Sequence, residues 1–329
     1  MNRIFALLCL SLLPILYASS LINQFTEWVE FFNIEFKSDD HFHATYQKWQ
    51  SNDKFIEEVN GKNLSYVLGH NQFSGMDSED FRQYLGYSGA PIERVFNKLD
   101  SEPTVLISEE VNWVKKGAVT EVKDQGQCGS CWSFSTTGSL EGAYFVKYGN
   151  LETFSEQQLV DCDSFKNGGR DMGCNGGLMD HAFTWIEKNG GLCAEIDYPY
   201  VSGETKTAGT CKKTCKVVDN SKIASFVDVE PSSDIAMMTA LSQQPVSIAI
   251  EADQREFQLY KSGIFTGVCG NKLDHGVLVV GYGPDYYLVK NSWGLSWGDG
   301  GFIKLGLGPE FNNGDGQCGM LLQGSYPKV

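Results

Sequence analysis

The sequence predicts an α+β fold: a helical half followed by a β-rich half, with a further helical segment ahead of both. Residues 21–106 contain no cysteine and only two prolines, Pro91 and Pro103. Their mix of Phe, Trp, Asp, Glu, Lys and Gln suits amphipathic helices. From about Asn112 glycine becomes frequent and all the later cysteines appear, among them a helix-forming run that starts at Cys131. Beyond Pro231 the pattern becomes short apolar runs cut by glycine, as in strands. A length of 329 residues fits one large domain plus an added segment, and no repeat or low-complexity tract points to a solenoid or propeller.

Taken in order, residues 1–20 read as a signal peptide. Arg3 gives the positive start, Ile4 to Tyr17 is almost wholly apolar, and Ala18-Ser19-Ser20 supplies small residues for cleavage. That run is shorter than the roughly 20 apolar residues needed to span a bilayer. Residues 21–106 form the helical leading segment, and 107–329, from a boundary near Ile107, the main domain. Within the main domain the run CWSFSTTGSLEGAYFVKYG predicts a helix with Ser130 as N-cap and Leu140, Ala143 and Tyr144 on one face. A second helix is expected over 178–188. Strands are expected at 245–250, 276–281, 286–290 and 301–305.

The formal charge of −15 argues against a nucleic-acid partner, since a phosphate backbone would be repelled. Export to an oxidising compartment suits the cysteine count. Ten cysteines less Cys9 of the signal leave nine, so eight can pair and one stands alone as an intermolecular partner or a reactive thiol. Only five histidines occur, and His41, His43 and His70 fall in the leading segment. His181, in the run MDHAFTWIEK, reads as a partly exposed structural residue. His275, at the entry to a strand, is therefore the leading candidate for an imidazole base. The cluster QGQCGSCW puts Cys128 and Cys131 in a C-x-x-C pair. No second thiol pair with ligand spacing follows, which argues against zinc, and no βαβ context supports a thioredoxin-like dithiol. The reading preferred here bonds Cys128 elsewhere and leaves Cys131 at a helix start, where the dipole and a nearby imidazolium favour the thiolate.

The segment QGQCGSCWSFS, with His275 and then Asn291 in KNSWG far downstream, resembles the papain family of cysteine peptidases, most nearly its cathepsin L-like branch. SEQQLVDC (155–162), GCNGG (173–177), YPY (198–200) and QPVSIAI (244–250) extend the resemblance over nearly all of 107–329. It implies a helical half and a β-barrel-like half with the active-site cleft between them. Cys131 is implied as nucleophile, His275 as its base, Asn291 as the residue orienting the imidazole, and Gln125 with the Cys131 N–H as oxyanion hole. Trp293 is expected to cover the His–Asn bond, and Trp297 to contact the leaving-group side, core packing being the alternative for each. Gly177 is expected to pair with an extended substrate. Leu178, Met179, Ala249, Leu273, Asp274 and Gly276 should line the substrate cleft, with Gln323 at the base of the pocket for the side chain two residues before the cut.

The resemblance further implies disulfides Cys128–Cys174, Cys162–Cys211 and Cys269–Cys318. Cys193 and Cys215, extra to these, are paired with each other, exchange with Cys211 being the alternative. Residues 21–106 resemble the family's inhibitory pro-segment. Trp49, Asn52, Ile56 and Asn60 keep its interspersed helix motif, while His41 and Thr45 stand at its charged positions. Gly69, Asn71 and Phe73 keep a second motif, with Gly75 where Asp is expected. Asn63-Leu-Ser65 is the only glycosylation sequon.

The expectation is thus a precursor of a secreted or lysosome-type endopeptidase, freed from its pro-segment at acid pH in an extracellular or vacuole-like compartment. No histidine lies between Cys131 and Cys174 to suggest an exopeptidase insertion. Its expected partners are protein and peptide substrates, its own pro-segment and protein inhibitors directed at this family, and the mature form is expected to be monomeric. No cofactor or metal is expected. The rival readings are an inactive papain-like binding or storage protein, and a thiol–disulfide oxidoreductase.

Overall fold

The computed structural model describes residues 21–87 and 108–329; the signal segment and the boundary near Ile107 lie outside the described residues. The leading segment contains α1 (21–31), α2 (Asp39–Asn60), β1 (Tyr66–Leu68) and the short α3 (Ser78–Phe81). Helix α2 starts where Ser38 accepts the His41 N–H, and Asp39 and Asp40 sit in its first turn, where the helix dipole favours acids. Its buried residues, Thr45, Trp49, Asn52, Ile56 and Val59, recur every three or four positions and make one stripe. Trp49 joins Phe25 and Trp28 of α1 in an aromatic cluster.

Two asparagines of α2 act on backbone. Asn52 donates to the Ser74 and Met76 carbonyls, and Asn60 clamps Leu68 through both its N–H and its C=O. Gly75 has a packing reason: a Cβ there would lie 2.7 Å from the Thr45 methyl and 2.8 Å from Trp28. At the positions where the resemblance expects charge, this chain has His41, Thr45 and Gly75, and the Thr45 methyl packs against Gly75.

The main domain follows with β2 (Val111–Asn112), α4 (Cys131–Tyr148), α5 (Glu156–Cys162), α6 (Met179–Asn189) and α7 (Ser202–Thr205). Next come β3 (Ser225–Asp228), α8 (Asp234–Leu241), β4 (Val246–Ile250), α9 (Arg255–Gln258), β5 (Tyr260–Phe265), β6 (His275–Tyr282), β7 (Tyr286–Lys290), β8 (Phe302–Gly306) and β9 (Gly324–Lys328). The strands run in the order β1-β5-β8-β7-β6-β4-β9-β3, with β2 also on β6. Only β5–β8 is parallel among these strand pairs. Strand β1 of the leading segment extends this sheet by pairing with β5.

One core lies under the sheet; a second, around Trp132, Leu140, Leu159, Phe183 and Ile186, fills the helical half. Helix α4 joins them and is buried on every side from Cys131 to Tyr144, not on one face as its sequence suggested. Two glycines allow this. A Cβ at Gly138 would come within 2.8 Å of Leu278, and one at Gly142 within 2.5 Å of Pro245. Each costs roughly 1 kcal/mol of helix propensity, and in return α4 lies against the sheet. Ser130 occupies the N-cap position without capping; its hydroxyl bonds Tyr200 instead, at 2.7 Å. Cysteines pair as Cys128–Cys174, Cys162–Cys211, Cys193–Cys215 and Cys269–Cys318, which leaves Cys131 as the free thiol among the described residues. No described helix is long and apolar enough to cross a membrane.

Candidate active site

Cys131 is the first residue of α4, on the helical side of a cleft, and His275 the first residue of β6, on the other. Asn291 directly follows β7. The β6–β7 pairing brings its Oδ1 to 2.8 Å from His275 Nε2. His275 Nδ1 is buried with no partner, so it is the ring nitrogen available to a thiol. The Cys131 Sγ accepts the Gly276 N–H at 3.3 Å. The Trp293 indole stacks on the imidazole with centroids 4.4 Å apart and shields the His–Asn bond. With the leading segment in place Trp297 is fully buried against Phe257, Tyr260 and Trp293 and donates to the Phe257 carbonyl, so it packs behind Trp293.

Gln125 is buried. Ser292 Oγ donates to its Oε1 at 2.7 Å, which turns Nε2 toward the cleft. There Nε2 donates to the Cys128 carbonyl and, at 2.8 Å, to the carbonyl of Tyr84 from the leading segment. The same segment crosses the nucleophile. The Gly86 N–H bonds the Cys131 sulfur, and a Cβ on Gly86 would lie 1.9 Å from the Gly129 oxygen. One residue on, Tyr87 donates to the Asp274 carbonyl at 3.0 Å, while Gly177 donates to Gly86 O at 3.0 Å. Tyr87 also lines a small cavity with Leu178, Met179 and Gln323. It packs in one apolar cluster with Met179, Ala249 and Leu273, and Gly276 closes this group by lying against the Met179 sulfur.

Burial governs the charges. Under this cover Cys131 is pushed up to about 11 and His275 down to about 4, each chiefly by desolvation. While the leading segment covers it, the site thus favours the neutral thiol–imidazole pair. Burial also raises Asp274 to about 7. Among the described residues no group of three or more His, Cys, Asp or Glu side chains is arranged to hold a metal.

Sequence reasoning did not single out Tyr84, Gly86 or Tyr87. The only available signal was a glycine between aromatic residues just past the last helix, and no spacing rule ties it to Gly129.

A thiol at a helix start facing an Asn-held imidazole, with an amide donor beside them, is the layout of a cysteine-nucleophile hydrolase. Comparisons with known proteins give its family. Residues 107–328 match the papain family cysteine proteases, and residues 25–81 match the cathepsin propeptide inhibitor domain (I29). The chain belongs to the papain family. It is 42% identical to cysteine protease XCP2 of Arabidopsis thaliana, over 93% of this chain and 86% of that protein. It is 45% identical to cysteine proteinase RD21A of Arabidopsis thaliana over 86% of this chain, but spans only 60% of RD21A's length. Among solved structures it is similar to the proform of the ragweed pollen allergen Amb a 11, with TM-score 0.84, 35% identity and 94% coverage of both chains. The recombinant stem bromelain precursor gives TM-score 0.82 and 35% identity, covering 94% of this chain and 99% of that one.

Proposed function

We propose that this chain is the precursor of a cysteine endopeptidase in which Cys131 attacks the peptide carbonyl, His275 handles the proton, Asn291 orients the imidazole and Gln125 binds the oxyanion. The observation that carries the reading is the hydrogen bond from Gln125 Nε2 to the Tyr84 carbonyl. A backbone carbonyl of the chain's own leading segment stands where a substrate carbonyl would be polarised. In the reaction Sγ bonds to the carbonyl carbon, the C–N bond breaks, and the proton held by His275 passes to the leaving amine. Water, deprotonated by His275, then cleaves the thioester and restores the thiol.

The leading segment resists this reaction because it runs backwards. A substrate side chain in the pocket lined by Leu178, Met179, Ala249, Leu273 and Gln323 belongs to a residue before the scissile carbonyl. Here the residue in the pocket, Tyr87, follows Tyr84 and Gly86. Residues 21–106 thus act as an intramolecular inhibitor, and their removal at acid pH releases the mature enzyme at 107–329. The signal-like start and the four disulfides support action in the secretory pathway, outside the cell or in an acidic lysosome- or vacuole-like compartment.

Cys131→Ala tests the reading. It should abolish peptide hydrolysis by the matured protein while its thermal unfolding stays close to wild type. Turnover within tenfold of wild type would overturn the assignment.

A further inference from the structure

We infer that Asp171, backed by Asp163 and His181, is a positioning residue for substrate: it holds the extended Gly177–Leu178 segment against which a bound peptide pairs. The inference rests on the proposed function and adds to it a group that no part of the Cys–His–Asn chemistry uses.

Asp163 directly follows α5, Asp171 enters the glycine-rich loop, and His181 lies in the first turn of α6; both carboxyl groups are buried. Asp171 Oδ1 accepts the Leu178 N–H at 3.0 Å and lies 3.1 Å from His181 Nδ1. One carboxylate oxygen therefore ties the entrance of the loop to its exit. Inside that tie, Met172 N–H closes on Gly176 O at 2.9 Å. Gly177 is wedged between an indole and this carboxyl, since a Cβ there would lie 2.6 Å from Trp132 and 2.8 Å from Asp171 Cγ. The Gly177 N–H is the donor that holds Gly86 of the leading segment, and Leu178 is a wall of the side-chain pocket. Whatever shifts Asp171 shifts both.

Asp163 makes the tie sensitive to protons. Its Oδ1 already accepts the Arg170 N–H at 3.0 Å, and its carboxyl hydrogen-bonds that of Asp171, a contact that needs a proton between them. Oδ2 of each carboxyl finds no donor among the other described protein groups. Burial, and for Asp163 the Asp171 charge, push Asp163 up to about 8 and Asp171 to about 7. The other charged groups that face the cluster are Arg170, His181 and Asp180, and Asp180 itself accepts from Ser325. Burial holds His181 below its ordinary range, so it brings no compensating charge near neutrality. Below about pH 7 the pair holds its protons, so a proton bridges the two carboxyls and Asp171 Oδ1 stays on Leu178. As pH rises through about 7 to 8 the proton leaves, two buried anions face each other, and the anchor loosens.

The experiment measures kcat and KM for an extended peptide between pH 4.5 and 8.5, on matured wild type, Asp171→Ala and Asp163→Asn, with the rate of Cys131 alkylation by iodoacetamide measured in parallel. At pH 5.5 Asp171→Ala should raise KM about threefold to tenfold, the loss of one hydrogen bond to the Leu178 N–H, and leave kcat within about twofold. Wild-type KM should climb above pH 7. Asp163→Asn, which keeps a donor to Asp171 without a titrating group, should flatten that climb. If Asp171→Ala does not fold, the Asp163→Asn profile decides alone. An unchanged KM in Asp171→Ala, or an Asp163→Asn profile that follows wild type, overturns the inference. Wild type that hydrolyses peptide with Cys131 already alkylated would instead sink the proposed function.

Discussion

Gln125 owes its orientation to Ser292, and its Nε2 has no freedom to turn away from the cleft. Gln125→Ala in the mature enzyme should therefore lower kcat by on the order of 10²–10³, the usual loss for one oxyanion donor. An unchanged kcat in steady-state assays would mean that other groups build the hole. Gln323 borders the cavity that Tyr87 enters, and its backbone carbonyl also accepts the Ala249 N–H at 3.1 Å. The pocket walls are apolar, so Leu or Phe two residues before the cut should be preferred, by roughly 1.5–3 kcal/mol for a fully buried side chain. A neutral amide offers the Arg guanidinium a hydrogen bond without a counter-charge, whereas a carboxylate would accept it bidentately and neutralise it. Gln323→Glu should thus raise kcat/KM for an Arg peptide about tenfold and hardly move the Leu peptide. Wild-type enzyme that cleaves Arg faster than Leu would show that Gln323 is not at the pocket base. Residue types with one chemical use, such as Cys131 and His275, were legible in the sequence. Asp163 and Asp171 were not, because two aspartates in a loop read as solvated until folding buries them together.

At the scale of elements, the helix from Cys131, the second helix and the four predicted strands appear within a residue or so of their expected positions. Strand β1 was not legible: three residues, Tyr66–Leu68, carry no period, and their partner β5 is far along the chain. The α2–β1 unit also carries a proton-sensitive group. His70 stacks on Trp49 with centroids 4.4 Å apart, its Nε2 is 3.0 Å from Asp53 Oδ1, and its Nδ1 is buried without a partner. Burial holds His70 below its ordinary 6.5. The Asp53 carboxylate opposes this, and the Lys261 charge on β5 adds to it. The unfolded segment therefore binds a proton more readily than the docked one. Docking is at full strength above pH 6.5 and weakens as pH falls through that value toward the folded pKa. This direction favours acid release, and it supplies a trigger that Gly75, in place of an Asp, cannot. His70→Phe should keep the stack, remove the titration and slow conversion of the precursor at pH 5, as followed by its change in size. Conversion of His70→Phe at the wild-type rate across pH 4.5–7.5 would assign the trigger to another group.

Over the whole molecule, the leading segment adds a strand to the main sheet at β5, sets Phe73 and Phe81 edge-on to Trp293, and threads Tyr84 to Tyr87 through the cleft. The three contacts lie on different parts of one surface, and together they bury the groups that would react. The shift in cysteine and glycine usage sets the expected boundary near Ile107, which lies outside the described residues. The path through the cleft was not legible in the sequence, because it depends on Gly86 meeting Gly129 across folded structure. The central claim is that Cys131 is the reactive thiol and that the leading segment keeps it covered and neutral. Its most direct test is mass mapping of an epoxide thiol reagent on the precursor and on the acid-matured protein at the same pH. The account predicts one adduct, on Cys131, in the matured protein and little or none in the precursor. An adduct on another cysteine, or labelling of Cys131 in the precursor at the matured rate, would contradict it.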